Sequence, residues 1–231
     1  MHIQLRQLLL NKYELMKLHL LIIALTLTSM ELFGQSNIDK KLKKSLDSIM
    51  NIDQKYRYLA EAKAKGRKKR IARKYNVSIT NFDKDLMRMQ KRYDSTNLIF
   101  VENVFSTRGY PGRNLVGDKT CMVAFFVIQH NIDKIGIYLD LMKKAEAEKQ
   151  LPTKCVPMME DRYLMNQGKE QIYGTQIYIP KGESKGFVYP IQDPENVNKR
   201  RKEAGYKETV EEYAKRFNIT YSVVKLNEVP K

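Results

Sequence analysis

Apolar residues recur at spacings of three and four along most of this chain, and the alternation of a half-buried strand shows in one place only. Ile38, Leu42, Leu46, Ile49, Ile52 and Tyr56 trace one face of an amphipathic helix. Gly66 is expected to weaken or break it, since glycine costs about 1 kcal/mol inside a helix. A second helical block begins near Asn81, runs through Asp94 and stops at Gly109 and Pro111. "GYPGRNLVG" (109–117) reads as loop, with Asp118 as N-cap of the next element. That element, "CMVAFFVIQH" (121–130), is apolar on every side up to Gln129, the pattern of a helix at the centre of a bundle. An amphipathic helix over 132–150 comes next, then a turn bracketed by Pro152 and Pro157, then "MMEDRYLMNQG" with Gly168 just past the helix end.

At Gln171 the pattern changes. "QIYGTQIYIPKGESKGFVYPI" sets β-branched and aromatic residues around a glycine-rich centre, which predicts a β-hairpin at about 171–190, with Gln171, Tyr173 and Thr175 on one face of its first strand. Helical signals then return: Asp193 as N-cap with Pro194 behind it, and a capping box from Thr209 to Glu212 opening a last helix through Phe217. The tail "ITYSVVKLNEVPK" reads as a strand or a frayed end. The fold expected is mainly α, a single-domain helical bundle with a small β-hairpin packed over the end of the central helix.

Charge adds a compartment to this picture. The 231 residues carry 42 Lys and Arg against 26 Asp and Glu, a net +16. Fourteen basic and three acidic side chains fall between residues 40 and 74, centred on "KAKGRKKRIARK" (63–74), so the surplus is local. Met1 and Met16 are both candidate starts. From Met16, a lysine, the apolar run 18–27 and the small residue Gly34 spell a signal peptide ending at residue 34, which leaves 35–231 as the mature domain without a transmembrane segment. The expected destination is outside the cytoplasm, periplasmic or secreted. That argues against nucleic acid as the counter-charge for 63–74 and for a solvated helix face or an anionic surface. Cys121 lies in an apolar run and reads as a buried thiol, although export leaves a bridge to Cys155 open.

Familiar catalytic signatures are absent: there is no phosphate-binding glycine loop, no dinucleotide fingerprint and no Gly-x-Ser-x-Gly elbow. A zinc site of His and Cys ligands is excluded by a mature chain with a single histidine and two distant cysteines, an all-oxygen metal site is open but has no supporting pattern, and no cofactor or metal is called for. That histidine, His130, ends the most apolar helix and is the candidate general acid or base, with Asp161 as the carboxylate that orients it. Arg162, Gln129, Gln171, Tyr173, Thr175 and Gln176 are the candidate substrate-binding groups. Asp53 and Arg57, four apart, read as an ordinary helical ion pair. Three functions fit this set: an envelope-associated hydrolase, a binding module for a peptide, glycan or envelope polymer, or an internal polar network that fixes the hairpin on the bundle.

The order of "DQKYR", "DSTN", "GYPGRNLVG", "FVIQH", "EDRYLMNQGKEQIYGTQ" and "DPENVNKRR" resembles an uncharacterised bacterial family, the DUF6624 domain, over about residues 45–213. The family's motif falls on Asp53, Gln54 and Arg57, on Asp94 and Asn97, and on Gly109, Pro111 and Gly117. It continues on Gln129 and His130 and then on Asp161, Arg162, Gly168, Gln171, Tyr173, Gly174, Thr175 and Gln176. Tyr110 stands where the family's usual aromatic is Trp, and the run at 63–74 looks like a local insertion. The resemblance implies a fold and a set of positions, with no activity attached.

Overall fold

The computed structural model of the chain describes residues 38–64, 68–75 and 81–230. The signal peptide expected at 1–34 and the joint around Gly66 lie outside the described residues. The helices and strands from Asp39 onward belong to one unit. The chain is mainly helical, with a single small antiparallel sheet among the described residues.

Helix α1 (Lys40–Ala64) and α2 (Lys68–Tyr75) come first, then the long α3 (Phe82–Arg108). The loop predicted at 109–117 holds a single helical turn, α4 (Arg113–Val116), between Gly109 and Gly117, both at positive φ (71° and 86°). Asp118 does not cap the next helix; its carboxylate pairs with Arg113 at 3.2 Å. A 3₁₀ turn leads into α5 (Val123–His130), the central helix. Val123, Ala124, Phe125, Val127 and Ile128 are all buried there, and α5 packs against α1, α3, α6 (Ile132–Ala147) and α7 (Cys155–Asn166). Cys121 and Cys155 are both buried free thiols in this core. No helix among the described residues is long and apolar enough to cross a membrane.

The buried face of α1 takes a turn that the apolar pattern did not show. Leu46 and Ile49 are buried as expected, but the stripe continues through Asp53, which is 5 % exposed, whereas Ile52 is only half-buried. On α3 the stripe that includes Leu86 and Val101 likewise passes through Asn97, also 5 % exposed. Two long helices therefore each place polar side chains on the face they turn inward. In the basic segment, Lys69, Arg70 and Arg73 of α2 are exposed while Ala72 is buried, which is a helix with a solvated cationic face.

Strands β1 (Ile177–Tyr178) and β2 (Phe187–Val188) pair antiparallel, with Ile177 opposite Val188. The predicted strand does not extend back to Gln171. The amides that would build its ladder are already taken, because Ile172, Tyr173 and Thr175 all donate their N–H groups to the carboxylate of Asp161. The segment 171–176 is instead a loop wrapped on that side chain. Its far side rests on a second apolar cluster, Val188, Ile191, Val197, Val210 and Ala214, from β2, α8 (Val197–Glu203) and α9 (Val210–Lys215). The tail is neither strand nor frayed end: Ile219 and Tyr221 pack against this cluster. The capping box of α9 forms as read, Thr209 Oγ1 accepting from the Glu212 amide at 3.2 Å while Glu212 accepts from the Thr209 amide at 2.8 Å.

Gly174 is held here by two constraints. Its φ is +69°, and a Cβ would stand 2.8 Å from both Ile191 Cδ1 and Val210 Cγ2. Gly174→Ala is expected to cost about 2–4 kcal/mol, combining the left-handed backbone with the overpacking. Urea unfolding measures it, and a loss below about 0.5 kcal/mol, the usual size of a neutral surface change, would show that the cluster yields.

Candidate functional site

His130 is the last residue of α5, and its side chain is 13 % exposed. Its Nδ1 lies 3.0 Å from Asp53 Oδ1, across from α1. Arg57, one turn after Asp53, binds the same carboxylate through Nε and Nη2 at 3.2–3.3 Å and reaches Asp94 Oδ1 of α3 at 3.4 Å. Gln54 Nε2 donates to Asp53 Oδ2 at 3.0 Å. Three helices thus converge on one polar group: Asp53, Arg57, Asp94 and His130.

Environment separates the two carboxylates. Burial opposes the charge of Asp53, but hydrogen bonds from His130 and Arg57 prevail and hold its carboxyl below the usual range. For Asp94 burial wins over the charges of Arg57 and His130, and its carboxyl is pushed up. An ionised Asp53 only accepts hydrogen bonds, so His130 donates from Nδ1 and its lone pair sits on Nε2. Among the described residues Nε2 has no hydrogen-bond partner. His130 and Asp94 both line an open hollow of about 590 Å³, with Arg88, Lys91 and Asn131 on its wall, while Asp53 lies behind the imidazole. Ring stacking on Phe126, 6.5 Å between centroids, further fixes the imidazole.

Asp53, Asp94 and His130 each offer a donor atom within 4.8 Å of the others, a set that could hold a metal ion. Arg57 already supplies the positive charge between the two aspartates, so a cation would have to displace its guanidinium. Asn97, one turn beyond Asp94, has a buried Nδ2 without a partner.

The residues expected to serve His130 from the C-terminal half are placed otherwise. Asp161 is fully buried and does not reach His130. Its two oxygens accept from the amides of Ile172, Tyr173 and Thr175 and from the Thr175 hydroxyl, at 2.7–3.2 Å. Burial pushes its carboxyl up against those four donors, which favour the charged form. Gln171 is fully buried as well: its Nε2 donates to the carbonyls of Gln176 and Tyr189, and its Oε1 accepts from the Gln176 amide at 2.8 Å. Gln176 Nε2 donates to Thr175 Oγ1 at 3.0 Å, and Tyr173 faces a different cleft. Asp161, Gln171, Thr175 and Gln176 therefore form a closed clasp, and the carboxylate that orients His130 is Asp53. The reason is topological: the loop 171–176 folds back on its own helix before it can reach the end of α5.

Arg162 joins the clasp to the site. Its Nε donates to Gln176 Oε1 at 3.2 Å and its Nη1 to the Gln129 carbonyl at 3.3 Å. Both acceptors are neutral. Burial and the charge of Arg57 disfavour its protonated form, and no carboxylate pairs with it among the described residues. Gln129 itself is buried, its amide turned toward Met158 Sδ.

Asp53, Arg57 and Asp94 are the residues that apolar periodicity overlooks. A signal for Asp53 existed: it falls four residues after Ile49 and seven after Leu46, on the face those two bury. A carboxylate there must have a partner inside the bundle.

No curated protein and no solved structure matches the chain. Residues 51–226 match the family model described as a family of unknown function, DUF6624. That span holds every residue of both the His130 site and the clasp, and the chain belongs to the DUF6624 family.

Proposed function

We propose that the protein is an exported hydrolase that uses His130 as general base and Asp94 as general acid on a cell-envelope or nutrient polymer. The single observation that supports it is the Nδ1–Asp53 contact of 3.0 Å on a histidine whose face lines an open hollow. Nε2 would take a proton from water as the water oxygen attacks the substrate's electrophilic centre. Asp94, whose raised pKa favours its protonated form, would give its proton to the leaving group. The imidazolium then returns its proton through solvent to Asp94, and the cycle closes. Asp53 positions the imidazole and compensates its charge, as carboxylates do in histidine-based sites generally. Arg88 and Lys91 on the hollow favour a substrate with anionic groups. The leader at 16–34 supports export, and the cationic face of α2 suits an anionic envelope surface.

Turnover of chromogenic esters, chromogenic glycosides and purified envelope polymer tests this reading. Wild type is expected to hydrolyse at least one class. Asp94→Asn is expected to lose about 10²-fold on substrates with poor leaving groups and much less on 4-nitrophenol derivatives, which need no proton. Inactivity of the wild type on every class, or equal losses on good and poor leaving groups, would remove the assignment. The alternative of a binding module predicts affinity for one of these polymers with no turnover and no dependence on leaving group.

A further inference from the structure

The hollow at His130 has a direction. Met87, Arg88, Lys91, Asp94 and Ser95 line it along α3, and His130, with a ring nitrogen within 4.8 Å of an Asp94 oxygen, stands at the Asp94 end. At about 1.5 Å of rise per residue, Lys91 lies about 4.5 Å and Arg88 about 9 Å along the helix from Asp94, and Lys84 continues the line at about 15 Å. With about 3.6 residues per turn, Lys84, Arg88, Lys91 and Arg92 share an arc of about 100°, opposite the buried Leu86 and Asn97, and all four are exposed. Lys91 and Arg92 hold no ion pair among the described residues. Arg88 has one exposed contact, with Asp85 at 3.0 Å, which an incoming anion displaces at little cost.

A row of cations is more than a single anionic group needs, and it matches a chain that carries a charge at every link. The lining decides which chain. It has no aromatic side chain on which a base or a sugar ring would stack. Its exposed apolar group is Met87, 70 % exposed, which suits short aliphatic segments between the charges. An extended acidic peptide alternates its side chains between two faces, so every second carboxylate turns away from the helix. A phosphodiester chain carries its charge in the backbone and turns none away.

Resting on the reading of this hollow as the active site, we infer that the substrate is a phosphodiester-linked polyol chain. Successive phosphates lie against Lys91, Arg88 and Lys84, the aliphatic segments pass Met87, and the bond to be cut is presented between His130 and Asp94 at the end of the track. The cationic face of α2 attracts the same polymer but has neither the hollow nor the histidine, so it serves as the internal control.

Calorimetric titration of the mature chain with glycerol phosphate and with its phosphodiester-linked tetramer tests the assignment, beside a 5′-phosphorylated thymidine tetramer and tetraglutamate. The glycerol-phosphate tetramer is expected to bind about tenfold or more tighter than the monomer, because linked groups share one approach, and to weaken as salt rises. Arg88→Gln with Lys91→Gln is expected to remove that gain, whereas Lys69→Gln with Arg73→Gln, which takes the same charge from α2, costs about twofold or less. Equal losses in the two double variants would reduce the track to general attraction and overturn the proposal. Equal affinity for monomer and tetramer, or tighter binding of the thymidine or glutamate tetramer, would overturn it as well. Binding that depends on Arg88 and Lys91 with no turnover by the wild type would remove the hydrolase and keep the track. Wild-type turnover of neutral esters or glycosides, with no gain for the glycerol-phosphate tetramer, would remove the track and keep the hydrolase.

Discussion

His130→Ala is expected to lower kcat by about 10²–10⁴-fold while leaving KM within a few-fold, because a positioned base acts in the transition state and contributes little to ground-state binding. The geometry allows this to be separated from simple damage. His130 is the last residue of α5, beyond the largely buried stretch 123–129, so its truncation spares the apolar core of that helix, and far-ultraviolet circular dichroism of the variant checks that it folds. Asp53→Asn is the companion. It keeps the size of the side chain and the bond from Arg57 but removes the charge that fixes the Nδ1 proton, so kcat falls with KM again little changed, and Asp53→Glu recovers part of the loss. Asp53 also carries a stability signature. Its carboxyl is held below the ordinary value, so its contribution is fully present above the unfolded value of about 4 and disappears as the pH falls through the folded one. Asp53→Asn flattens that acid limb. A His130→Ala protein with wild-type turnover would end the catalytic reading, and equal loss of affinity and rate would move it to binding.

Asp161→Ala is expected to cost about 3–5 kcal/mol, the scale for removing one side of a buried charged hydrogen-bond group. Four donors lose their acceptor at once: the amides of Ile172, Tyr173 and Thr175 and the Thr175 hydroxyl. Water cannot readily replace the carboxylate, since Asp161 and Thr175 are both buried. With domain stabilities of about 5–15 kcal/mol, this is a fifth or more of the total. Asp161→Asn should lose less than the alanine variant, because one oxygen still accepts while the new amide nitrogen faces donors. Urea unfolding followed by far-ultraviolet circular dichroism gives both values. A loss under about 1 kcal/mol for the alanine variant, no more than one ordinary hydrogen bond contributes, would contradict the clasp. Turnover per folded molecule in the asparagine variant, unchanged, would confirm that Asp161 is not the partner of His130.

The helical architecture was legible in the spacing of apolar residues, and so was the central position of 121–130, since only a helix surrounded by others can be apolar all round. The hairpin was legible in kind but not in extent. Gln171, Tyr173 and Thr175 have strand-like spacing, yet a carboxylate eleven to fourteen residues earlier takes the amides of Ile172, Tyr173 and Thr175 that a strand would use. Periodicity cannot report that, because it sees side-chain polarity and not the destination of backbone groups. The candidate site was half legible. His130 stood out by being alone and by where its helix ends. Asp53 did not, because its pair with Arg57 at four residues' spacing looks the same whether it faces solvent or the inside of the bundle. Asp94 shares a turn with Ser95 and Thr96, both exposed at their hydroxyls, and its meeting with Arg57 depends on how α1 and α3 cross, a tertiary fact with no local trace.

Arg162 gives the arrangement a mechanical consequence. Its guanidinium is tied to Gln176 of the clasp on one side and to the Gln129 carbonyl, one residue before His130, on the other. The last turn of α5 therefore cannot fray without letting go of the clasp, and the clasp cannot open without freeing the end of that helix. In terms of local unfolding, the histidine and the loop 171–176 form one cooperative unit, although about forty residues of chain lie between them.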